Sequence, residues 1–168
     1  INHLAERIGA DYIALGHNLD DMAQTVLMNV SNGDMERTLR LAPHTNNRVD
    51  GLAPRIVPLR WVPEQEIHLY ATHKNLPLHH EECPNAKGAL RWRHRDLVAT
   101  MEADVPGTRH GLVRMADQVK ALRDQVVELG GGSTRPAPPH PCERCGSMTS
   151  GLQCKACDMR DLLSIDEE

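Results

Sequence analysis

One stretch, Ala10 to Asp21, limits more than any other what this chain can fold into. An apolar run, Tyr12 to Leu15, stops at Gly16, and the polar residues His17, Asn18 and Asp20 follow, with Asp21 directly after. Leu19, Ala23, Val26, Leu27 and Val30 then recur at helical spacing and give one apolar face. A buried strand that ends on glycine and feeds a helix N-terminus is the usual ligand edge of a parallel α/β sheet. The pattern therefore predicts a strand over 11–16 and a helix from Leu19 to about Asn32, closed by Ser31, Asn32 and Gly33.

The chemistry of that turn has two readings. The first N–H groups of a helix lack intrahelical partners and carry partial positive charge. Asn18 or Asp20 can cap them, with His17 a plain turn residue. The same helix end attracts phosphate, and two adjacent carboxylates, Asp20 and Asp21, can hold a magnesium ion that bridges to phosphate oxygens.

Length allows one modest domain with a small appendage: the chain has 168 residues. A net charge of −4 does not mark a generic polyanion binder, and the core must be built from Leu, Val, Ile, Ala and Met because Phe is absent. No apolar run approaches the ~20 residues that span a bilayer, and no signal peptide is visible. The chain reads as soluble and cytoplasmic, with no membrane partner.

Further along, Asp34 to Leu41 suits a short helix capped by Asp34, and Ile56 to Leu59 a brief edge strand, interrupted by Pro58. A helix is predicted over 63–75, started by Pro63 and Glu64. Another spans Ala89 to Ala103 with Leu90, Leu97, Val98 and Met101 inward. The last long one spans Thr108 to about Leu129, with Leu112, Met115, Val119, Leu122 and Val126 on one face. An α/β half is thus followed by an all-helical half. Gly130 to Pro141 is a linker of flexible glycines and extended prolines, which divides the chain into 1–128, a linker over 129–141 and a small module over 142–160.

That module holds four of the five cysteines, as Cys142-x-x-Cys145 and Cys154-x-x-Cys157, with Gly146 and Gly151 between the pairs. Two such pairs form a zinc-ribbon-like knuckle, with four thiolates around one ion. About 25 residues bury too little core to fold alone, so the metal supplies much of the folding free energy. An iron–sulfur cluster and disulfides are the alternatives, the latter disfavoured because nothing suggests export. Cys83 stands alone in Glu81-Glu82-Cys83-Pro84, and a lone cysteine ordinarily serves as a small apolar residue. Lys87, Arg91, Arg93 and Arg95 flank Trp92 and His94. They suit phosphates and a stacked base, or simply a solvated helix face.

Gly16-His17-Asn18-Leu19-Asp20-Asp21-Met22-Ala23-Gln24-Thr25 resembles the G-H-N/H-x-D-D-x-x-x-T motif of the PP-loop ATP pyrophosphatase superfamily. The nearest branch is the tRNA 2-thiolation enzymes (TtcA- and TtuA-like, with their wobble-uridine relatives). The tail with Cys142, Cys145, Cys154 and Cys157 is similar to the C-terminal zinc finger of the archaeal and eukaryotic members, and Cys83-Pro84 to a cysteine that joins an upstream C-x-x-C pair. The resemblance implies an adenine-nucleotide α-hydrolase-like α/β fold with a Rossmann-like parallel sheet and a helical extension, followed by a zinc ribbon. It further implies a sulfurtransferase that uses ATP and Mg2+ to adenylate a tRNA uridine and replace its C2 oxygen with sulfur. Asp20 and Asp21 would serve the ATP–magnesium or activation site, shaped by Gly16, His17 and Asn18. Cys83 would serve a [4Fe-4S] cluster or sulfur transfer, the four late cysteines Zn2+, and Lys87, Arg91, Arg93 and Arg95 tRNA. A ubiquitin-like sulfur carrier and a homodimeric partner are implied as well. The family's S-G-G-x-D-S nucleotide loop does not occur in this sequence, so the chain is expected to be the C-terminal part of a longer protein, inactive by itself. A lysidine synthetase-like ligase, which needs neither Cys83 nor the zinc tail, and a non-catalytic zinc-bearing RNA- or protein-binding module are the alternatives.

Overall fold

The computed structural model describes residues 1–43, 52–79, 90–131 and 139–163. After the short helix α1 (Asn2–Arg7), the apolar run pairs as a strand over only two residues, β1 (Ile13–Ala14). It lies parallel to β2 (Arg55–Ile56), with Ile13 opposite Arg55 and Ala14 opposite Ile56. Ile13 and Leu15 donate their N–H groups to the carbonyls of Pro54 and Ile56, both at 2.8 Å. β2 ends sooner than the predicted run over 56–59, as Pro58 has no N–H to carry the ladder further.

The helix predicted after the turn is α2 (Leu19–Ser31), and α3 (Met35–Leu39) follows with Asp34 as its cap, accepting the Arg37 N–H at 2.9 Å. α4 (Glu64–His73), α5 (Leu90–Asp104) and α6 (Thr108–Glu128) complete this part. α2 is its centre: Leu19, Met22 and Ala23 are buried against Val98 of α5 and Val113 of α6, with Leu27, Leu41 and Leu112 half-buried around them. Val30, expected on the same face, is exposed.

α5 and α6 are rotated from their predicted faces. On α5 the buried residues are His94 and Val98, while Leu90, Leu97 and Met101 are exposed. His94 tolerates burial because its Nδ1 is hydrogen-bonded to the Leu90 carbonyl at 2.9 Å. On α6 Val113 and Ala116 are buried, whereas Met115, Leu122 and Val126 are exposed. The inward row of α6 mixes small apolar residues with polar ones that have partners. Asp117 binds Arg60, and Lys120 donates to the carbonyls of Leu41 at 3.3 Å and Pro43 at 3.1 Å. Burial pushes the Lys120 amine below its ordinary range. Counting apolar residues alone picks the neighbouring row, because paired polar groups are invisible to it.

The α5–α6 turn is fixed by Gly107, whose φ of +94° favours glycine. The Glu102 carboxylate accepts the N–H groups of Gly107 and Arg109, both at 2.8 Å, and so caps α6 from the preceding helix. Burial alone would raise the pKa of Glu102. Those two N–H groups and the Arg109 guanidinium outweigh it and hold the carboxyl below its ordinary value.

The remaining described residues form a separate cysteine-bearing unit. β3 (His140–Pro141) runs antiparallel to β4 (Met148–Thr149), and α7 (Lys155–Leu162) follows. β3 lies inside the stretch read as linker; 132–138 of that stretch lie outside the described residues. No helix among the described residues is long and apolar enough to cross a membrane.

Two substitutions separate the observed packing from the apolar pattern. Leu19→Ala, at a fully buried site, is expected to cost about 2–5 kcal/mol in urea unfolding. Leu122→Ala, on the exposed row of α6, is expected to stay within about 0.5 kcal/mol of the parent. Comparable losses at both sites would contradict the helix orientation described.

Candidate functional site

The turn Gly16–Asp21 joins β1 to α2 and is tied down from both sides. Asn18 is the N-cap: its Oδ1 accepts the Asp21 N–H at 2.9 Å, and Asp21 Oδ2 accepts the Asn18 N–H at 3.2 Å, a reciprocal capping box. The Leu19 N–H donates to the Val62 carbonyl at 3.0 Å, and the Met22 N–H to the Asn18 carbonyl at 3.1 Å. Most first-turn donors are therefore bonded within the protein. Gly16 and His17 are exposed.

Asp20 and Asp21 each hold an arginine. Asp20 Oδ1 pairs with Arg109 Nη1 at 2.9 Å, and Asp20 Oδ2 accepts the Glu64 N–H at the start of α4, at 2.8 Å. Both side chains of the pair are about 15 % exposed: 14 % for Asp20 and 15 % for Arg109. Asp21 Oδ1 pairs with Arg91 Nη1 at 3.0 Å, and Arg91 Nη2 also donates to Thr25 Oγ1 at 2.9 Å. Asp21 is the more open of the two carboxylates. The turn thus presents two anchored carboxylates of unequal exposure, each with a guanidinium beside it. That arrangement can meet a magnesium–phosphate group with both signs of charge.

The other predicted residues are dispersed. Arg91 is at the turn, as Asp21's partner, while Arg93 and Arg95 are exposed along α5, with the Arg95 guanidinium 5.2 Å from the centroid of Trp92. Cys83 and Lys87 lie outside the described residues. Arg109, the partner of Asp20, is 89 positions away and belongs to no motif, so spacing ties it only to a basic patch on the last helix and not to this turn; Gly107, two residues before it, is the one local signal of the chain turn that brings it in.

The second site is a cysteine centre. The sulfurs of Cys142, Cys145, Cys154 and Cys157 all lie within 4.8 Å of one another, with Cys145 and Cys154 3.6 Å apart. Four thiolates about 2.3 Å from one zinc ion stand roughly 3.8 Å apart, so the set fits a single tetrahedral ion. A four-iron cube placed between its thiolates needs them further apart. The Cys154 N–H donates to Cys142 Sγ at 3.2 Å, and the Cys157 N–H to Cys154 Sγ at 3.5 Å at the start of α7. Arg144 of the first knuckle pairs with Asp161 of α7, which also accepts from Gln153 Nε2 at 2.6 Å. Ser147, through its hydroxyl and its backbone N–H, holds the Cys145 thiol down at about 6, whereas burial and the adjoining sulfurs push Cys157 up to about 12. A cation relieves that crowding by taking all four as thiolates.

No family model matches the chain. It is 37 % identical over 163 residues to the tRNA 2-thiolation protein NcsA of Haloferax volcanii, an alignment covering 94 % of this chain and 50 % of that protein. It is 38 % identical over 160 residues to cytoplasmic tRNA 2-thiolation protein 1 of Bos taurus, covering 95 % and 44 %. A probable sulfurtransferase of Methanocaldococcus jannaschii is 31 % identical over 157 residues, covering 94 % and 42 %. In three dimensions the chain is similar to the U34-tRNA thiolase NcsA from Methanococcus maripaludis with its [4Fe-4S] cluster. The TM-score is 0.76 at 28 % identity, covering 99 % of this chain and 50 % of that one. The chain spans about half the length of the curated relatives it matches. The α/β fold, with its helical extension and terminal cysteine ribbon, is the fold expected from the resemblance.

Two measurements follow from this geometry. A double-mutant cycle on Asp20→Asn and Arg109→Met should give a coupling of about 0.5–3 kcal/mol in unfolding free energy, since the two mostly buried charges are in direct contact, with Glu102 a more distant second carboxylate 3.9 Å from Arg109 Nε. Elemental analysis should find one zinc per chain, lost on Cys142→Ser. Protons compete for the thiolates, so zinc affinity should fall as the pH is lowered, as a competition titration with a colorimetric chelator would record.

Proposed function

We propose that this chain, homologous over nearly its whole length to tRNA 2-thiolation proteins, is part of a tRNA sulfurtransferase that makes 2-thiouridine. The observation that carries the reading is the turn itself. The motif residues of the resembled family, Asp20 and Asp21, converge with Arg109 and Arg91 at the end of a parallel strand pair, where α/β proteins bind ligands. A relative with this fold carries a U34-tRNA thiolase name and a [4Fe-4S] cluster.

The reaction has two displacements. The C2 oxygen of the uridine attacks the α-phosphorus of ATP and pyrophosphate leaves. A sulfur nucleophile then attacks C2, the C2–O bond breaks to release AMP, and, where a protein thiocarboxylate brings the sulfur, water cleaves its acyl–sulfur bond to leave a carboxylate and the thiocarbonyl. Adenylation turns a poor oxygen leaving group into a good one, which is the reason for ATP. Asp21, the more exposed carboxylate, takes the magnesium-bound phosphates, while Asp20 and Arg109 hold its helix in place. Asn18 caps that helix, and Gly16 and His17 leave the approach open. Magnesium neutralises phosphate charge when bound. Cys83 is assigned to the [4Fe-4S] cluster or sulfur delivery, which requires thiolates beyond this one. Cys142, Cys145, Cys154 and Cys157 hold structural zinc. The domain division is assigned to the Gly/Pro linker, and Lys87, Arg91, Arg93 and Arg95 are assigned to tRNA phosphates.

A ubiquitin-like protein thiocarboxylate is the proposed sulfur donor and a homodimer the proposed assembly, in the cytoplasm, as the names of the eukaryotic relatives have it. The relatives reported carry thiolation or sulfurtransferase names and do not favour a lysidine synthetase-like ligase or a non-catalytic zinc module.

The test uses the full-length protein, transcribed tRNA, ATP and a sulfide donor, with product read as retarded tRNA on a mercury-containing gel. Asp21→Asn and Cys83→Ser should each lower thiolation by roughly a hundredfold or more, with zinc content unchanged. Full activity in both variants would sink the site assignment.

A further inference from the structure

Trp61 is 41 % exposed, yet it is held in place. The Arg60 guanidinium lies 4.8 Å from its ring centroid, and the imidazole of His110 is nearly parallel to it, with 10° between planes and centroids 6.2 Å apart. Parallel rings with centroids that far apart are strongly offset, so His110 borders the indole and leaves much of its face open. Arg60 is itself pinned: its Nη2 donates to both carboxylate oxygens of Asp117, at 2.9 and 3.1 Å, and its side chain is largely buried. A single exposed apolar side chain needs no explanation. An exposed aromatic ring fixed by a half-buried ion pair and a second ring is a different object, a preformed flat surface.

Its position gives it a use. Trp61 precedes Val62, whose carbonyl accepts the Leu19 N–H, and Glu64, whose N–H donates to Asp20. His110 follows Arg109, the ion-pair partner of Asp20. Both rings are chain neighbours of groups bonded to the first turn of α2. We propose that Trp61, backed by Arg60 and bordered by His110, is a stacking platform for a nucleobase beside the Asp20–Asp21 turn. Stacking on an aromatic face accepts any base. A ring already fixed loses little conformational freedom when a base arrives. The platform deepens the RNA-modifying reading above and rests on it. A base can come from RNA or from the adenine of ATP, and the experiment separates the two.

Among these 168 residues, Trp92→Phe leaves Trp61 as the only tryptophan. Its emission is titrated with a short single-stranded RNA, with an abasic oligoribonucleotide of equal length, and with ATP. The RNA should quench it saturably and the abasic strand should not. Trp61→Ala should weaken RNA binding by about five- to hundredfold, and Trp61→Phe should retain most of the affinity. The slope of log affinity against log salt should not change, because stacking releases no counterions. RNA binding unaltered in Trp61→Ala, or equal quenching by the abasic strand, overturns the platform and leaves the RNA reading intact. Quenching by ATP without any RNA binding keeps the platform, assigns it to adenine and overturns the RNA reading. No change in emission with RNA or ATP overturns the platform and leaves the RNA reading to the thiolation assay.

Discussion

The Asp20 carboxylate is where the helices of this structure meet. One oxygen holds Arg109 of α6 and the other accepts the first N–H of α4, while the residue itself lies in the first turn of α2. Arg109 is in turn placed by Glu102, which accepts its backbone N–H and caps α6 from the end of α5. One carboxylate thus orients three helices, and a second fixes the connection to the fourth. Coulomb attraction between two mostly buried charges does not by itself stabilise a fold, because both must leave water. What it supplies is a defined position: a helix rotated by one residue would leave a charge unpaired. The phosphate-facing geometry proposed for Asp21 depends on α2 being held there.

The same polar residues serve structure and ligand. Asn18 and Asp21 form a capping box, so the reading of this turn as an ordinary helix cap is correct as far as it goes. Capping and ligand binding are not exclusive, because a carboxylate has more acceptor sites than one backbone N–H occupies. Asp21 uses one oxygen for the Asn18 N–H and the other for Arg91, and it remains partly exposed. Asp20 is more enclosed, with both oxygens engaged. The adjacent pair is therefore unequal: one carboxylate is set into the scaffold and the other stands nearer to solvent.

The parts legible in the sequence are those where local chemistry decides. The N-cap at Asn18, the length of α2, the cap of α3 at Asp34 and the convergence of four cysteines follow from short-range spacing, and the structure has each of them. The inward face of α6 did not follow. Its inward row contains the half-buried Asp117 and Lys120, whose partners Arg60, Leu41 and Pro43 lie far away in sequence. Arg109 and the Trp61–His110 pair were hidden for the same reason, since each depends on two segments meeting. The strands came out shorter than the apolar run because hydrophobicity marks burial, while pairing needs a partner in register, and Pro58 removes one donor from it.

A net charge of −4 also conceals how this surface would meet a polyanion. Arg60, Arg91 and Arg109 are each paired with a carboxylate, so none offers an uncompensated charge to phosphate without first exchanging its partner. Arg93 and Arg95 are exposed and belong to no ion pair among the described residues. With a net charge of −4, charge neutralisation by exposed arginines such as these gives weak and salt-sensitive attraction. Contact with an uncharged part of the nucleic acid must then carry a larger share of any affinity, and aromatic faces are the groups suited to it. The two tryptophans fit that division of labour. Trp92 lies next to Arg91, which binds Asp21, and Trp61 lies in the segment that binds Leu19 and Asp20. In a chain with so few aromatic residues, both indoles belong to segments that are bonded to the same turn.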